Sequence, residues 1–242
     1  ISLGIKENST PVNLFRFIFN KLFNENNDYL PDNSYFALIK QPYIFHNITD
    51  SLNNVNMQLT DWKIKMKNRE KIFITGATGF IGSHLAELLV RKGYKVVAFD
   101  RYNPNNNWGW LEHSDLKNEM DVILGDIRDF DSVNKSMEGC RTVFHLAALI
   151  GIPYSYVSPL AYIRTNIEGT YNILEASKGR GLEQVLITST SETYGTAQYT
   201  PMDENHPLIG QSPYSATKIS ADQLALSYFK SFDLPVKIVR PF

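Results

Sequence analysis

"KIFITGATGFIG", residues 71–82, is the stretch that decides how this chain folds. Its first five residues, Lys71–Thr75, form a short and almost continuously apolar run, as in a strand covered on both faces. A turn with three glycines follows: Gly76, Gly79 and Gly82. Helical apolar spacing begins at Phe80 and Ile81. Strand, glycine turn and helix in that order are the context that makes a glycine triplet informative. Gly76 can take a tight turn, and Gly79 lets backbone N–H groups approach a pyrophosphate. Gly82 allows close packing of helix on strand. The helix start adds unpaired donors and a positive dipole end, so residues 76–82, Thr78 included, are candidates to hold a dinucleotide.

Downstream, the same alternation repeats. Strand-like runs lie at 95–99, 121–125, 142–146, 184–188 and 236–240, and helical patterns at 80–92, 129–138, 157–178 and 213–231. Alternating strands and helices joined by short connections imply an α/β fold. It is a doubly wound parallel sheet, Rossmann-like, with helices on both faces. Asp100 ends the second strand eighteen residues after Gly82. A carboxylate there accepts from ribose hydroxyls and repels a 2′-phosphate, which favours NAD. Arg101, next in sequence, could instead pair with the 2′-phosphate of NADP.

Residues 1–70 are different. They hold twelve Asn and one Gly, with no strand–helix alternation. One helix is predicted there. Thr10 and Pro11 suit its start, and Val12, Leu14, Phe15, Ile18, Phe19, Leu22 and Phe23 fall largely on one face. The rest reads as loops and short elements, an extension of unknown function before a core at 71–242. The chain starts at Ile1 and stops directly after a strand-like run, so a piece of a longer protein is expected.

Bulk properties exclude several classes. A net charge of −1 provides no basic field for nucleic acid or anionic membrane. No apolar run reaches the roughly 18 residues of a membrane span, and no signal peptide is visible. The single cysteine, Cys140, rules out an internal disulfide framework or cysteine metal cluster and suits a reducing cytoplasm. Its flanks point to a buried, unreactive thiol. No metal is expected.

Chemistry enters with "SPYSATKISADQLALSYF". Tyr214 and Lys218 are four apart on a helix and so share one face. An ammonium beside a phenol is expected to lower the phenol pKa, making a base able to take a hydroxyl proton. "LITSTSETYG" (186–195) places Thr190, Ser191 and Glu192 at a strand end. His145, read alone, is a satisfied structural histidine.

The spacing GxxGxxG, together with "TGATGFIG" and the Tyr214/Lys218 pair, resembles the extended short-chain dehydrogenases/reductases. The resemblance covers about 71–242 and none of 1–70. It implies that Asp126 and Ile127 of "GDIRD" hold adenine. In "HLAAL", Leu146, Ala147 and Ala148 would pass close to the cofactor. It also implies that Asn166 supports the active-site geometry and that Thr190 hydrogen-bonds the reacting hydroxyl. Tyr214 and Lys218 serve both chemistry and cofactor. "RYNPNNNWGWLE", "LIGIPYSYVSP" and "STSETYGTAQYTPMDENHPL" resemble the legionaminic-acid-pathway dehydratases that act on UDP- or GDP-N-acetylglucosamine.

The reaction so implied is 4,6-dehydration of a nucleotide sugar. C4 is oxidised, Glu192 removes the acidified C5 proton, the C6 hydroxyl leaves, and the hydride returns to C6. Ser191 stands where some sugar-nucleotide dehydratases carry an Asp acid, so Glu192 or Tyr214 must supply that proton. The same Thr-Ser-Glu order occurs in UDP-glucuronate decarboxylases, and a 4-epimerase needs only the redox step. A non-catalytic dinucleotide-binding regulator is the reading of another class; it should lack Tyr214, Lys218 or Thr190, and all three are present. The resemblance also implies a C-terminal substrate lobe beyond residue 242, little turnover by residues 1–242 alone, and a homodimer built on helices 157–178 and 213–231.

Overall fold

The computed structural model describes residues 70–241 and two further strands, β1 (Tyr35–Leu38) and β2 (Gln41–Asn47). The helix predicted over residues 12–23 lies outside the described residues. By internal contacts the chain divides into two compact units. One comprises Asn68–Ala197 and Pro207–Pro241, the other Ile1–Lys67, Gln198–His206 and Phe242. In the latter, β1 and β2 pair antiparallel, Tyr35 opposite Asn47, with a shift of register between Ala37 and Leu38. This pair is one of the short elements read there in the sequence, although its strand character was not specified.

The larger unit carries a six-stranded, all-parallel sheet. Its strands are β3 (Lys71–Thr75), β4 (Lys95–Arg101), β5 (Asp121–Gly125), β6 (Cys140–His145), β7 (Gln184–Thr188) and β8 (Val236–Val239). They lie in the order β5-β4-β3-β6-β7-β8. The order reverses between β3 and β6, and such a reversal opens a crevice at the strands' carboxyl ends.

The period-two alternation of side chains explains why both faces are covered. On β3 and β4, Phe73, Val97 and Phe99 join the core cluster on one face, and Ile72, Ile74, Val96 and Ala98 join that on the other. Helix α1 (Phe80–Arg91) covers the second face through Ala86, Leu85 and Leu89. The first face is covered by α2 (Phe130–Ser136), α5 (Gly169–Ser177) and α6 (Pro213–Phe232), through Val133, Ile173, Leu174, Ala225 and Tyr228.

The helix expected at 157–178 is a broken run. α3 (Ile152–Val157) stops at Ser158, whose backbone is not helical, because Pro159 begins a new helix, α4 (Pro159–Tyr162). A π-helical turn, Ile163–Glu168, then leads directly into α5. Three 3₁₀ turns, Gly109–His113, Lys117–Glu119 and Ser191–Tyr194, were not foreseen. They are too short to carry a periodic signal.

Candidate active site

The glycine turn sits at the reversal of the sheet. Gly76 has φ +71°, and a Cβ on it would lie 2.8 Å from the backbone N of Ala147, just past β6. A Cβ on Gly82 would lie 2.1 Å from the Gly76 carbonyl oxygen. Both glycines are therefore required by close backbone approach. Gly79 caps α1 with no side-chain hydrogen bond, and the first turn has no acidic residue. The α1 start thus keeps unpaired N–H groups facing the crevice, as an anion site demands. Phe80 and Ile81 stand exposed beside it, at 47% and 62%.

Asp100, at the end of β4, is tied to this turn. Its Oδ2 accepts from the backbone N–H and hydroxyl of Thr78, each at 2.7 Å, and its Oδ1 accepts from the Arg101 N–H at 2.6 Å. Arg101 is exposed. Asp126 is held in a fork by Arg128 at 2.5–3.0 Å, and that hydrogen bond keeps its carboxyl below the usual range. Ile127 is buried against Gly169, so its side chain is core. Any adenine contact there falls to the backbone. Leu146, Ala147 and Ala148 are half-buried along the crevice.

A buried relay fixes the loop after β6. The Ala147 N–H donates to Thr75 Oγ1 at 3.2 Å. His145 bridges Thr75 Oγ1 through Nδ1 at 2.7 Å and Thr170 Oγ1 through Nε2 at 3.0 Å. Thr170 donates onward to the Asn166 carbonyl at 2.7 Å. Because the Thr170 hydroxyl is already donating, Nε2 carries the proton and Nδ1 accepts. Burial, aided by the Lys218 charge, holds His145 neutral at about 3. It is the satisfied structural histidine expected.

Asn166, within the π turn, clamps Leu149 through both backbone groups, at 2.8 and 3.0 Å, and donates to Thr217 at 3.1 Å. Cys140 is buried, and burial pushes its thiol up to about 11, against the opposing charges of Lys71 and Arg180.

Helix α6 begins with a capping box. Ser212 and Ser215 each satisfy the other's backbone N–H, and Pro213 takes the first turn. This fixes Tyr214 and, one turn on, Lys218, exposed 6% and 4%. Across from them Thr190 caps the turn Ser191–Tyr194, accepting from the Glu192 N–H at 3.2 Å, and its hydroxyl pulls the Tyr214 phenol down. Glu192 is exposed, and its charge acts on the same phenol. So Thr190, Glu192, Tyr214 and Lys218 share one place.

The expected depression of the phenol does not hold. Burial pushes Tyr214 above its ordinary value, the Thr190 hydrogen bond opposes this, and Glu192, Tyr162 and Asp222 add to the rise. Desolvation of phenolate dominates. Lys218 instead donates to the Thr188 carbonyl at 2.7 Å, and burial pulls its ammonium down to about 8.

Sequence reasoning missed three supporting groups. Tyr162 packs edge-on against Tyr214, centroids 6.2 Å apart, and its hydroxyl donates to the Gly151 carbonyl at 2.5 Å. Buried Asp222 and half-buried Arg240 form an ion pair behind Lys218 at 2.9 Å. Asp222 was findable, since it continues the spacing of four from Tyr214 and Lys218. Nothing local marks Tyr162 or Arg240. Among the described residues no cluster of three His, Cys, Asp or Glu could hold a metal ion.

Comparison with known proteins agrees with this geometry. The profile of the GDP-mannose 4,6 dehydratase family matches residues 73–242. The trifunctional UDP-glucose 4,6-dehydratase/UDP-4-keto-6-deoxy-D-glucose 3,5-epimerase/UDP-4-keto-L-rhamnose-reductase of Arabidopsis thaliana is 36% identical over 179 residues, 71% of this chain and 27% of that protein. The UDP-N-acetyl-alpha-D-glucosaminuronate decarboxylase of Bacillus cytotoxicus is 34% identical over 179 residues, 72% of this chain and 54% of its own length. The dTDP-glucose 4,6-dehydratase DesIV of Streptomyces venezuelae, solved with NAD and TYD bound, superposes with a TM-score of 0.65 at 30% identity. That match covers 70% of this chain and 55% of DesIV. The chain thus spans about a quarter to a half of the length of these relatives.

Proposed function

We propose, since this chain belongs to the GDP-mannose 4,6 dehydratase family of extended short-chain dehydrogenases/reductases, that it forms the cofactor-binding, proton-handling part of a sugar-nucleotide 4,6-dehydratase. The observation that carries the reading is the placement of Thr190 and Glu192 on one short turn beside the buried Tyr214, whose phenol both of them act on. A redox step alone needs Thr190, Tyr214 and Lys218. A carboxylate on the same turn, near enough for its charge to raise the phenol, adds a second base, which elimination requires.

The glycine turn, the uncapped α1 start and the Thr78–Asp100 bond fit NAD. NAD held there would supply a reversible hydride acceptor beside the sugar. Thr190 and Tyr214 hold the C4 hydroxyl, and the phenolate form of Tyr214, the minority form at neutral pH, takes its proton. Lys218, anchored on Thr188, places a positive charge that favours the phenolate form Tyr214 needs to accept that proton. Glu192 then removes the C5 proton, made acidic by the new C4 ketone, and delivers it to the departing C6 oxygen; the proton held by Tyr214 returns to C5 as C6 is reduced. Ser191 has no acidic group for this, so Glu192 is assigned both duties.

The proposed substrate is UDP- or GDP-N-acetylglucosamine, on the strength of the stretches resembling legionaminic-acid-pathway enzymes. A homodimer is proposed through α3–α5 and α6, where Val157, Leu160, Ile163 and Tyr171 stand exposed. Residues 1–70 are proposed as an extension outside the cofactor-binding core, and a cytoplasmic setting belongs to the same reading. No helix among the described residues is long and apolar enough to cross a membrane.

Incubating the intact protein with UDP-N-acetylglucosamine should yield a product lighter by one water. Glu192→Gln should stop elimination while C4 oxidation stays visible as NADH absorbance. No water loss with any UDP- or GDP-hexose or hexosamine would overturn the proposal. Carbon dioxide release from a glucuronate would indicate a decarboxylase, and an isobaric product a 4-epimerase.

A further inference from the structure

Behind the phenol lie two buried charged side chains, Lys218 and Asp222, and the half-buried Arg240. Lys218 and Asp222 stand one helical turn apart on the α6 face that also carries Tyr214, exposed 4% and 0%. Asp222 Oδ2 accepts from Ser189 Oγ and from Arg240 Nε, each at 2.9 Å. Its Oδ1 has no hydrogen-bond partner among the described residues. Arg240, just past β8, also donates to the Tyr194 hydroxyl at 3.2 Å, with its guanidinium 5.3 Å from the centre of that ring. Arg240 therefore pairs with this carboxylate directly, while Lys218, one turn away on α6 and bonded to the Thr188 carbonyl, feels its charge without an ion pair within 4.0 Å.

Among the described residues, the other groups around Lys218 provide no second countercharge. On β6, His145 is neutral. Thr188 on β7 and Ser189 after it are uncharged. On α6, the Tyr214 phenol is raised and so protonated at neutral pH. Glu192 and Tyr162 act on Tyr214, and Asp222 is the charge that acts on Lys218. At its other end, Asp222 reaches the segment that presents the reacting groups. Ser189 immediately precedes Thr190, and Tyr194 closes the turn that contains Glu192.

We propose that Asp222 is a positioning residue for the Tyr214–Lys218 pair: its carboxylate is the buried countercharge of the Lys218 ammonium and, through Ser189 and Arg240, the anchor of the turn that bears Thr190 and Glu192. This rests on the roles given above to Tyr214 and Lys218. A carboxylate kept only for stability would be weakly motivated, since buried ion pairs add little over apolar packing. Here its removal leaves Lys218 and Arg240 as two like charges. Lys218 is the one able to lose its proton, because a guanidinium stays charged.

The test is an NMR titration of the lysine ¹³Cε signals of the intact protein, with Lys218 assigned through Lys218→Arg. In Asp222→Asn the Lys218 midpoint should fall by about one pH unit or more, the effect of losing an adjacent opposite charge. Asp222→Glu, which keeps the charge, should restore it. If Asp222→Asn does not fold, the pair Asp222→Asn/Arg240→Gln removes the excess buried charge and should show the same fall, because Arg240 acts on Asp222. With sugar nucleotide, the alkaline limb of the rate profile should move down with the midpoint. An unchanged Lys218 midpoint in the folded variants would overturn the proposal. The titration is read without substrate. Wild-type protein inactive on every sugar nucleotide would therefore defeat the dehydratase reading and still leave this result to decide the role of Asp222.

Discussion

Lys218 shows how a single buried charge opposes stability at the place where the proposed chemistry needs it. Its folded value is about 8 against an ordinary 10.5, with burial as the larger cause and Asp222 in opposition. Between those values the unfolded chain binds more protons than the folded one, so stability rises with pH across that window. Below about 8 the full cost of burying the ammonium is present, and above 10.5 it is gone. Lys218→Met should therefore stabilise the protein near pH 7, by up to about 3 kcal/mol less the lost bond to Thr188. The gain should vanish by about pH 10.5, and urea unfolding at several pH values would show this. A destabilised variant at pH 7 would contradict the account. The residue type and spacing of Lys218 were legible in the sequence. The direction of the Tyr214 shift was not, because burial is a property of everything packed around the phenol.

Among the elements, the π turn Ile163–Glu168 carries the most structure per residue. The wider turn brings Asn166 to face the loop after β6, where it takes the place of a neighbouring strand for Leu149. Its third bond reaches Thr217, between Tyr214 and Lys218, and so ties α6 to the crevice. Asn166→Ala should leave several buried backbone and hydroxyl groups unpaired and cost about 2–4 kcal/mol in denaturant unfolding. Turnover should fall with it. Loss of activity without loss of stability would point to a direct role in the reaction instead. The sequence predicted a plain helix here. A π turn is one extra residue in a helical ladder, and apolar periodicity blurs across it.

At the level of the whole molecule, strand order places the glycine turn of β3 beside the Ala147 segment of β6, seventy residues away in sequence. Saturating NAD at about 100 times its Kd should raise stability by about 2.7 kcal/mol, read as a higher Tm. NADP should raise it less, because Asp100 already faces the turn and would meet the 2′-phosphate. Asp100→Ala should shrink the NAD shift and narrow the gap between the two cofactors. Equal shifts for both in the wild type would contradict the assignment of Asp100.

The sequence by itself determined the alternation of strand and helix, the glycine turn, the helix that pairs Tyr214 with Lys218, and the hydroxyl–carboxylate run at Thr190–Glu192. Each of these is local: a periodicity, a backbone requirement or a spacing within one or two turns. Tertiary structure alone decided which groups surround those residues. Residues remote in the chain bring Arg240 to Asp222, Thr75 and Thr170 to His145, and Tyr162 to Tyr214. Desolvation and buried charge depend on such packing, so the protonation of Tyr214, Lys218 and His145 could be read only after the sheet was assembled.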